Sequence, residues 1–128
     1  MTHSNSIKLV WYDTTIFESE ENQKLLKTFE EAFGNCVGFV KESECKRFIG
    51  RDGVGVKRII FIVSGALGKD LIPTIHQHSN ICSIFVYCGN KAFHQKWAAK
   101  YEPKVQVLTS TGELIKQIRE CIDRLNEQ

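Results

Sequence analysis

The chain has 128 residues, 42% of them hydrophobic and 25% charged, the size and balance of one ordinary globular domain with a core of its own. A formal charge of +2, spread over both signs, gives no electrostatic footing for nucleic acid or for an acidic membrane surface. Five cysteines, irregularly spaced and set in apolar patterns at Cys36, Cys45, Cys82 and Cys121, point to a reduced, cytoplasmic protein rather than to a disulfide framework.

Met1 to Ser6 form a short polar lead, expected to be disordered and to carry no targeting signal. No stretch reaches the roughly 18 apolar residues of a membrane span, so solubility is expected. Lys8 to Asp13 reads as a first strand, ended by the turn chemistry of Asp13, Thr14 and Thr15. From Glu20 to Phe33 the residues Leu25, Leu26, Phe29, Ala32 and Phe33 fall on one helical face. Acidic residues in its first turn suit the helix dipole, and Gly34 stops it. Cys36 to Val40 is a short second strand. Glu42 to Ile49 reads as a brief helix packing Cys45, Phe48 and Ile49, and Gly50 to Gly55 as a loop, because three glycines in six residues cannot hold a helix.

Ile59 to Val63 is apolar on both faces, the pattern of a strand buried in mid-sheet. Ser64, Gly65 and Gly68 read as a small-residue loop leading into a helix whose Leu67, Leu71, Ile72 and Ile75 recur at helical spacing up to His76. Pro73 interrupts that pattern, so either the helix begins near Leu71 with the proline in its first turn or it is kinked. Ile81 to Cys88 is a fourth strand, and Gly89-Asn90 turns into a helix from Lys91 to about Tyr101 with Phe93, Trp97, Ala98 and Tyr101 on its inner face. After Pro103, Lys104 to Leu108 is a fifth strand. Ser110 with Glu113 has the form of a capping box, and the last helix stripes Leu114, Ile115, Ile118, Cys121, Ile122 and Leu125 along one side. Strands alternating with helices, joined by right-handed crossovers, predict a single α/β domain over residues 1–128. Its expected architecture is a three-layer, doubly wound, five-stranded parallel sheet, flavodoxin-like, in the order 2-1-3-4-5.

In such a sheet the carboxyl ends of the strands gather a rim of Asp13, Thr14, Ser64, Gly65, Cys88 and Ser110, a place for a ligand or partner. Phosphoryl acceptance would need a carboxylate at the third strand's end, an acidic pair at the first and a lysine at the fifth. Ser64, a lone Asp13 and Thr109-Ser110 stand there instead. A flavin phosphate would need a glycine-rich turn after the first strand; Asp13-Thr-Thr-Ile-Phe17 has hydroxyls, no glycine and a negative charge. No cofactor is expected. His76-x-His78 lacks a third ligand at a recognised spacing, so no metal is expected either. Cys88 near His94 outlines a thiolate nucleophile, against which a half-buried structural thiol is the preferred reading. Lys91, His94, Lys96 and Lys100 make one face of the fourth helix basic, a surface on which an acidic protein partner could dock.

The run Ile59-Ile-Phe-Ile-Val-Ser64, followed by a helix, is similar to the pattern of an apolar strand ending in serine in the receiver and Toll/interleukin-receptor (TIR) group of signalling domains. Enzymatic TIR domains cleave NAD with a glutamate on the helix after that strand. Here the helix offers Lys69, Asp70 and His76 but no glutamate, so an NAD-cleaving or nucleotide-sensing alternative rests on Asp13 and Asp70. The segments Leu9-Val-Trp-Tyr-Asp13, Cys45-x-x-Phe-Ile49, Ile62-Val-Ser-Gly65, Ile84-Phe-Val-Tyr-Cys88 and His94-Gln-Lys-Trp97 also resemble an α/β module of unassigned function. That module stands at the N-terminus of multidomain proteins that continue into tetratricopeptide repeats or an arginine ADP-ribosyltransferase. The resemblance implies a signalling, scaffolding or interaction domain of a larger protein, self-associating and without catalytic residues.

Overall fold

The computed structural model describes residues 7–34, 36–50 and 58–127. The expected disorder of residues 1–6 and the glycine-rich loop beyond Gly50 lie outside the described residues. The elements follow one another as β1 (Ile7–Tyr12), α1 (Glu20–Phe33), β2 (Cys36–Phe39), α2 (Glu42–Ile49), β3 (Arg58–Ser64), α3 (Gly65–Ile75), β4 (Ile81–Tyr87), α4 (Lys91–Ala98), β5 (Val105–Leu108) and α5 (Thr111–Asn126). The five strands form one sheet in the order β2-β1-β3-β4-β5, with every pair parallel. This is the flavodoxin-like topology.

β3 lies at the centre, with Leu9 of β1 opposite Ile60 and Ile84 of β4 opposite Phe61. Ile59 through Val63 are all fully buried, which requires cover on both faces of the sheet. Alternation along the strands divides the core in two. Val10, Phe61, Val63 and Val86 meet Cys45 and Ile49 of α2, Leu71, Ile72 and Ile75 of α3, and Ala98 of α4. Trp11, Ile60, Ile62 and Phe85 meet Leu25 and Phe29 of α1 and Leu114, Ile118 and Cys121 of α5. Fully burying one such large apolar side chain stabilises the fold by about 1.5–3 kcal/mol.

Four differences from the sequence expectations concern how elements start and which way they face. No loop separates β3 from α3: Ser64 ends the strand and is itself the N-cap, extended at φ −70° and ψ 160°, and the helix begins at Gly65. The helix therefore starts well before Leu71 and contains Pro73 near its end, where the missing N–H removes only one late backbone bond. Thr74 Oγ1 donates to the Leu71 carbonyl at 2.7 Å in the same turn. Only half of the capping box forms on α5. Ser110 Oγ accepts from the Glu113 N–H at 3.1 Å, but the Glu113 carboxylate accepts from Gln117 Nε2 at 2.9 Å instead of reaching back. α4 stops at Ala98 and tightens into a 3-10 turn over Ala99–Tyr101. Phe93, assigned to its inner face, is 50% exposed.

Side chains tie the amino end of the sheet together. Arg58 Nη1 donates to the Leu125 carbonyl at 2.8 Å. Asn80 Nδ2 donates to the Ile49 carbonyl at 2.9 Å, and the Asn80 carbonyl accepts from the Ile59 N–H at 2.6 Å. Lys104 Nζ donates to the carbonyls of His76 and His78, closing the exit of α3. Burial holds the pKa of this ammonium below its ordinary value, because desolvation disfavours the charge.

Candidate interaction surface

At the carboxyl end, most residues of the expected rim have local work to do. Asp13 is a turn residue: its Oδ1 accepts from both the N–H and the hydroxyl of Thr15, each at 3.0 Å. Its own N–H donates to the Phe39 carbonyl at 3.1 Å. Thr15 Oγ1 in turn accepts from Asn22 Nδ2 at 3.0 Å, so the β1–α1 turn is locked by its own hydroxyls and amides. Thr14 is exposed beside it. Ser110 caps α5. Asp70, the other carboxylate of the NAD-cleaving alternative, is exposed on α3, on a different element from Asp13.

Cys88 leaves β4 with its N–H on the Leu108 carbonyl at 3.0 Å. Burial pushes its thiol pKa up, against smaller downward pulls from the Asn90 backbone and Lys91. Such a thiol is a poor nucleophile near neutral pH. Among the described residues no hydrogen bond joins it to His94, which is engaged elsewhere.

His94 and Trp97 of α4 sit on the glycines of α3. A Cβ built on Gly65 would clash with the His94 ring at Nε2, Cδ2 and Cε1. A Cβ on Gly68 would meet Val63 Cγ1 at 3.0 Å and Trp97 Cη2 at 3.6 Å. Helical positions three apart share one face, so Gly65-x-x-Gly68 forms a bare strip that receives His94-x-x-Trp97. Trp97 Nε1 donates to His94 Nδ1 at 3.0 Å; since the indole can only donate, Nδ1 is the acceptor, and the proton of the neutral ring sits on Nε2 over Gly65. His94 thus covers the start of α3, where an anion on the Ser64-Gly65 segment would have to approach.

This seam changes the make-up of the basic face. His94 points inward. Lys91 lies on the other flank of α4, lining a groove of about 450 Å³ along β5 with Gln95, Glu102 and Glu113. The outward surface is built around Phe93, whose ring stands edge-on to His94 with centroids 4.9 Å apart at 85°. Lys69 of α3 places its Nζ 5.3 Å from the Phe93 centroid, a cation–π contact. Lys96 is one helical turn away, and Lys100 lies 5.4 Å from the centroid of Tyr101. The only ion pair among the described residues joins Lys46 to Glu42 at 3.9 Å, so no carboxylate neutralises these lysines there.

No family model, curated protein or solved structure matches this chain. What the surface can do must be read from its own chemistry. An aromatic ring half open to water with one ammonium group on it, on a helix that carries further exposed lysines, suits an apolar anchor carried by an acidic protein surface. A second recess of about 310 Å³ opens on the other side of the sheet, between α1 and α5, lined by Glu21, Asn22, Lys24, Thr28, Tyr87 and Thr111 among others. Tyr87 and Thr111 share a hydroxyl–hydroxyl bond of 2.7 Å across its floor.

The sequence reading named Gly68, Lys69 and Trp97 but missed that α3 and α4 bring them together with Phe93 and His94. A signal was present in the glycine pair three apart on α3 and the His/Trp pair three apart on α4. Joining the two needed the knowledge that these helices lie side by side.

Proposed function

We propose that this chain is a non-enzymatic protein-interaction domain, a signalling or scaffolding part of a larger cytoplasmic protein, which docks its partner or a second copy of itself on the surface around Phe93. The observation that carries this reading is the half-exposed Phe93 ring with Lys69 on it, beside lysines that no described carboxylate pairs. Such a ring gives a partner an apolar anchor, and the charge on it gives the contact a preferred orientation. Five thiols, all free, suit a reducing compartment. The receiver/TIR-like resemblance agrees with a flavodoxin-like sheet, although a fold shared by so many activities does not choose among them.

The rival reading, NAD cleavage or nucleotide sensing, would depend on Asp13 and Asp70. Asp13 spends its Oδ1 on Thr15, and Asp70 stands apart on α3. The deciding experiment incubates the concentrated chain, with a crowding agent, with NAD and measures nicotinamide. Release no higher than from heat-killed protein is expected. Release that disappears in Asp13→Asn or Asp70→Asn would overturn the non-enzymatic reading.

A further inference from the structure

Two large apolar side chains stand exposed among the described residues, Phe17 at 58% and Phe93 at 50%. Both lie at the carboxyl end of the sheet, Phe17 in the turn after β1 and Phe93 in the first turn of α4. Their surroundings are opposite in charge. Phe17 is followed by Glu18, Glu20 and Glu21, all exposed, and Asp13 to Gln23 contains no lysine or arginine. Lys69 lies on the Phe93 ring, exposed Lys96 and Lys100 follow it three and seven residues along, and Cys88 to Tyr101 contains no aspartate or glutamate. Asp70, next to Lys69 in the chain, is the one acidic residue of α3. The Phe17 backbone is fixed, because its carbonyl accepts from Gln23 Nε2 at 2.6 Å, so the ring is presented from a held turn. α1 packs on one face of the sheet and α4 on the other, which keeps the two corners of one molecule apart.

We infer that the Phe93 surface is filled by the Phe17 corner of a second copy of this chain. The inference rests on the reading of that surface as a docking surface and names its occupant. Each ring supplies an apolar anchor to the other, while the glutamates of one copy face the lysines of the next, a complementarity that also fixes orientation. The two patches differ, so the contact is heterologous. Every copy that uses its basic corner still offers an acidic one, and assembly continues head to tail into a filament or closes into a ring. Exposed charges a Debye length apart are screened, so assembly weakens as salt rises.

Sedimentation velocity on the whole chain tests this. Wild type should form species larger than a dimer that grow with concentration and shrink with added salt. Phe17→Ser with Glu18→Lys removes the acidic corner, and Phe93→Ser with Lys96→Glu removes the basic one. All four positions are exposed, and an unchanged melting temperature confirms that each variant folds. Each variant alone should associate at least about tenfold more weakly. Mixed one to one, the two should give a dimer that grows no further, because one intact acidic corner meets one intact basic corner. Variants that assemble like wild type, or a mixture that forms no dimer, would overturn the pairing of these corners while leaving an interaction domain in place. A wild type that stays monomeric at every concentration would overturn it too. In that case, binding of an acidic, phenylalanine-bearing peptide at Phe93 would keep the docking surface with another partner, and failure of the peptide as well would bring down both readings.

Discussion

On the α1–α5 side of the sheet, Phe29 meets Trp11 edge to face with ring centroids 5.5 Å apart, and large side chains fill the space between helix and strand. On the α3–α4 side, two glycines leave a strip that an imidazole and an indole occupy. Large side chains fill both layers, but only the second has a seam that closes on bare glycine. Packing by large side chains is sensitive to truncation, whereas a seam closed on glycine is sensitive to the smallest addition. The second layer also bears Phe93, so the orientation of the proposed docking surface depends on that seam.

The largest effect that would sharpen this comparison is truncation on the first side. Phe29→Ala should destabilise the chain by about 3–5 kcal/mol in urea unfolding while leaving binding at Phe93 unchanged in whatever fraction is folded. Next comes addition on the second side. Gly65→Ala should cost about 1–3 kcal/mol, because the new methyl group clashes with the His94 ring. A double-mutant cycle makes the cause visible: in a His94→Ala background the same change should be neutral or stabilise by up to about 1 kcal/mol, as alanine does in a helix. An equal cost in both backgrounds would break the contrast between the layers.

The last effect is a slope with pH. Burial, helped by nearby Glu30, pushes the Cys36 thiol from its ordinary 9.0 up to about 12, and burial with Glu42 does the same to Cys45. The unfolded chain loses these protons first as pH rises. Their stabilising contribution is therefore complete below the unfolded value and is lost as pH climbs through the folded one, between about pH 9 and 12, by at most about 1.4 kcal/mol per pH unit for each thiol. Cys45 lies on the α2–α3–α4 side and Cys36 beside α1, so Cys45→Ala and Cys36→Ala should each flatten the alkaline fall in melting temperature. A slope unchanged in both would remove the thiols from the account.

Local periodicity made most of the architecture legible. α1 and α2 run over the residues whose apolar spacing outlined them, Glu20–Phe33 and Glu42–Ile49, because an amphipathic stripe is written in neighbouring residues. The β3 run could be read as central because only a strand covered on both faces is apolar throughout. The Asp13 turn was legible for the same local reason. Phe93 was not: its spacing with Trp97 suggested one inner face, but α4 is centred on Ala98 and turns Phe93 to the flank. The His94 seat on Gly65 joins residues from different helices, and no pattern within either helix reports it. The basic face lost His94 to the seam and Lys91 to a groove, while Lys96 and Lys100 stay exposed.

Arg58 stands at the entrance of the central strand, and the carbonyl it grips belongs to Leu125, 67 residues further along. That guanidinium is half-buried and cannot find its acceptor until α5 has wound to its last turn. The start of the central strand is therefore tied to the last turn of α5. Loss of a single turn from the end of α5 would be felt at β3, not merely at a fraying tip, as faster amide exchange at Ile59 and Ile60.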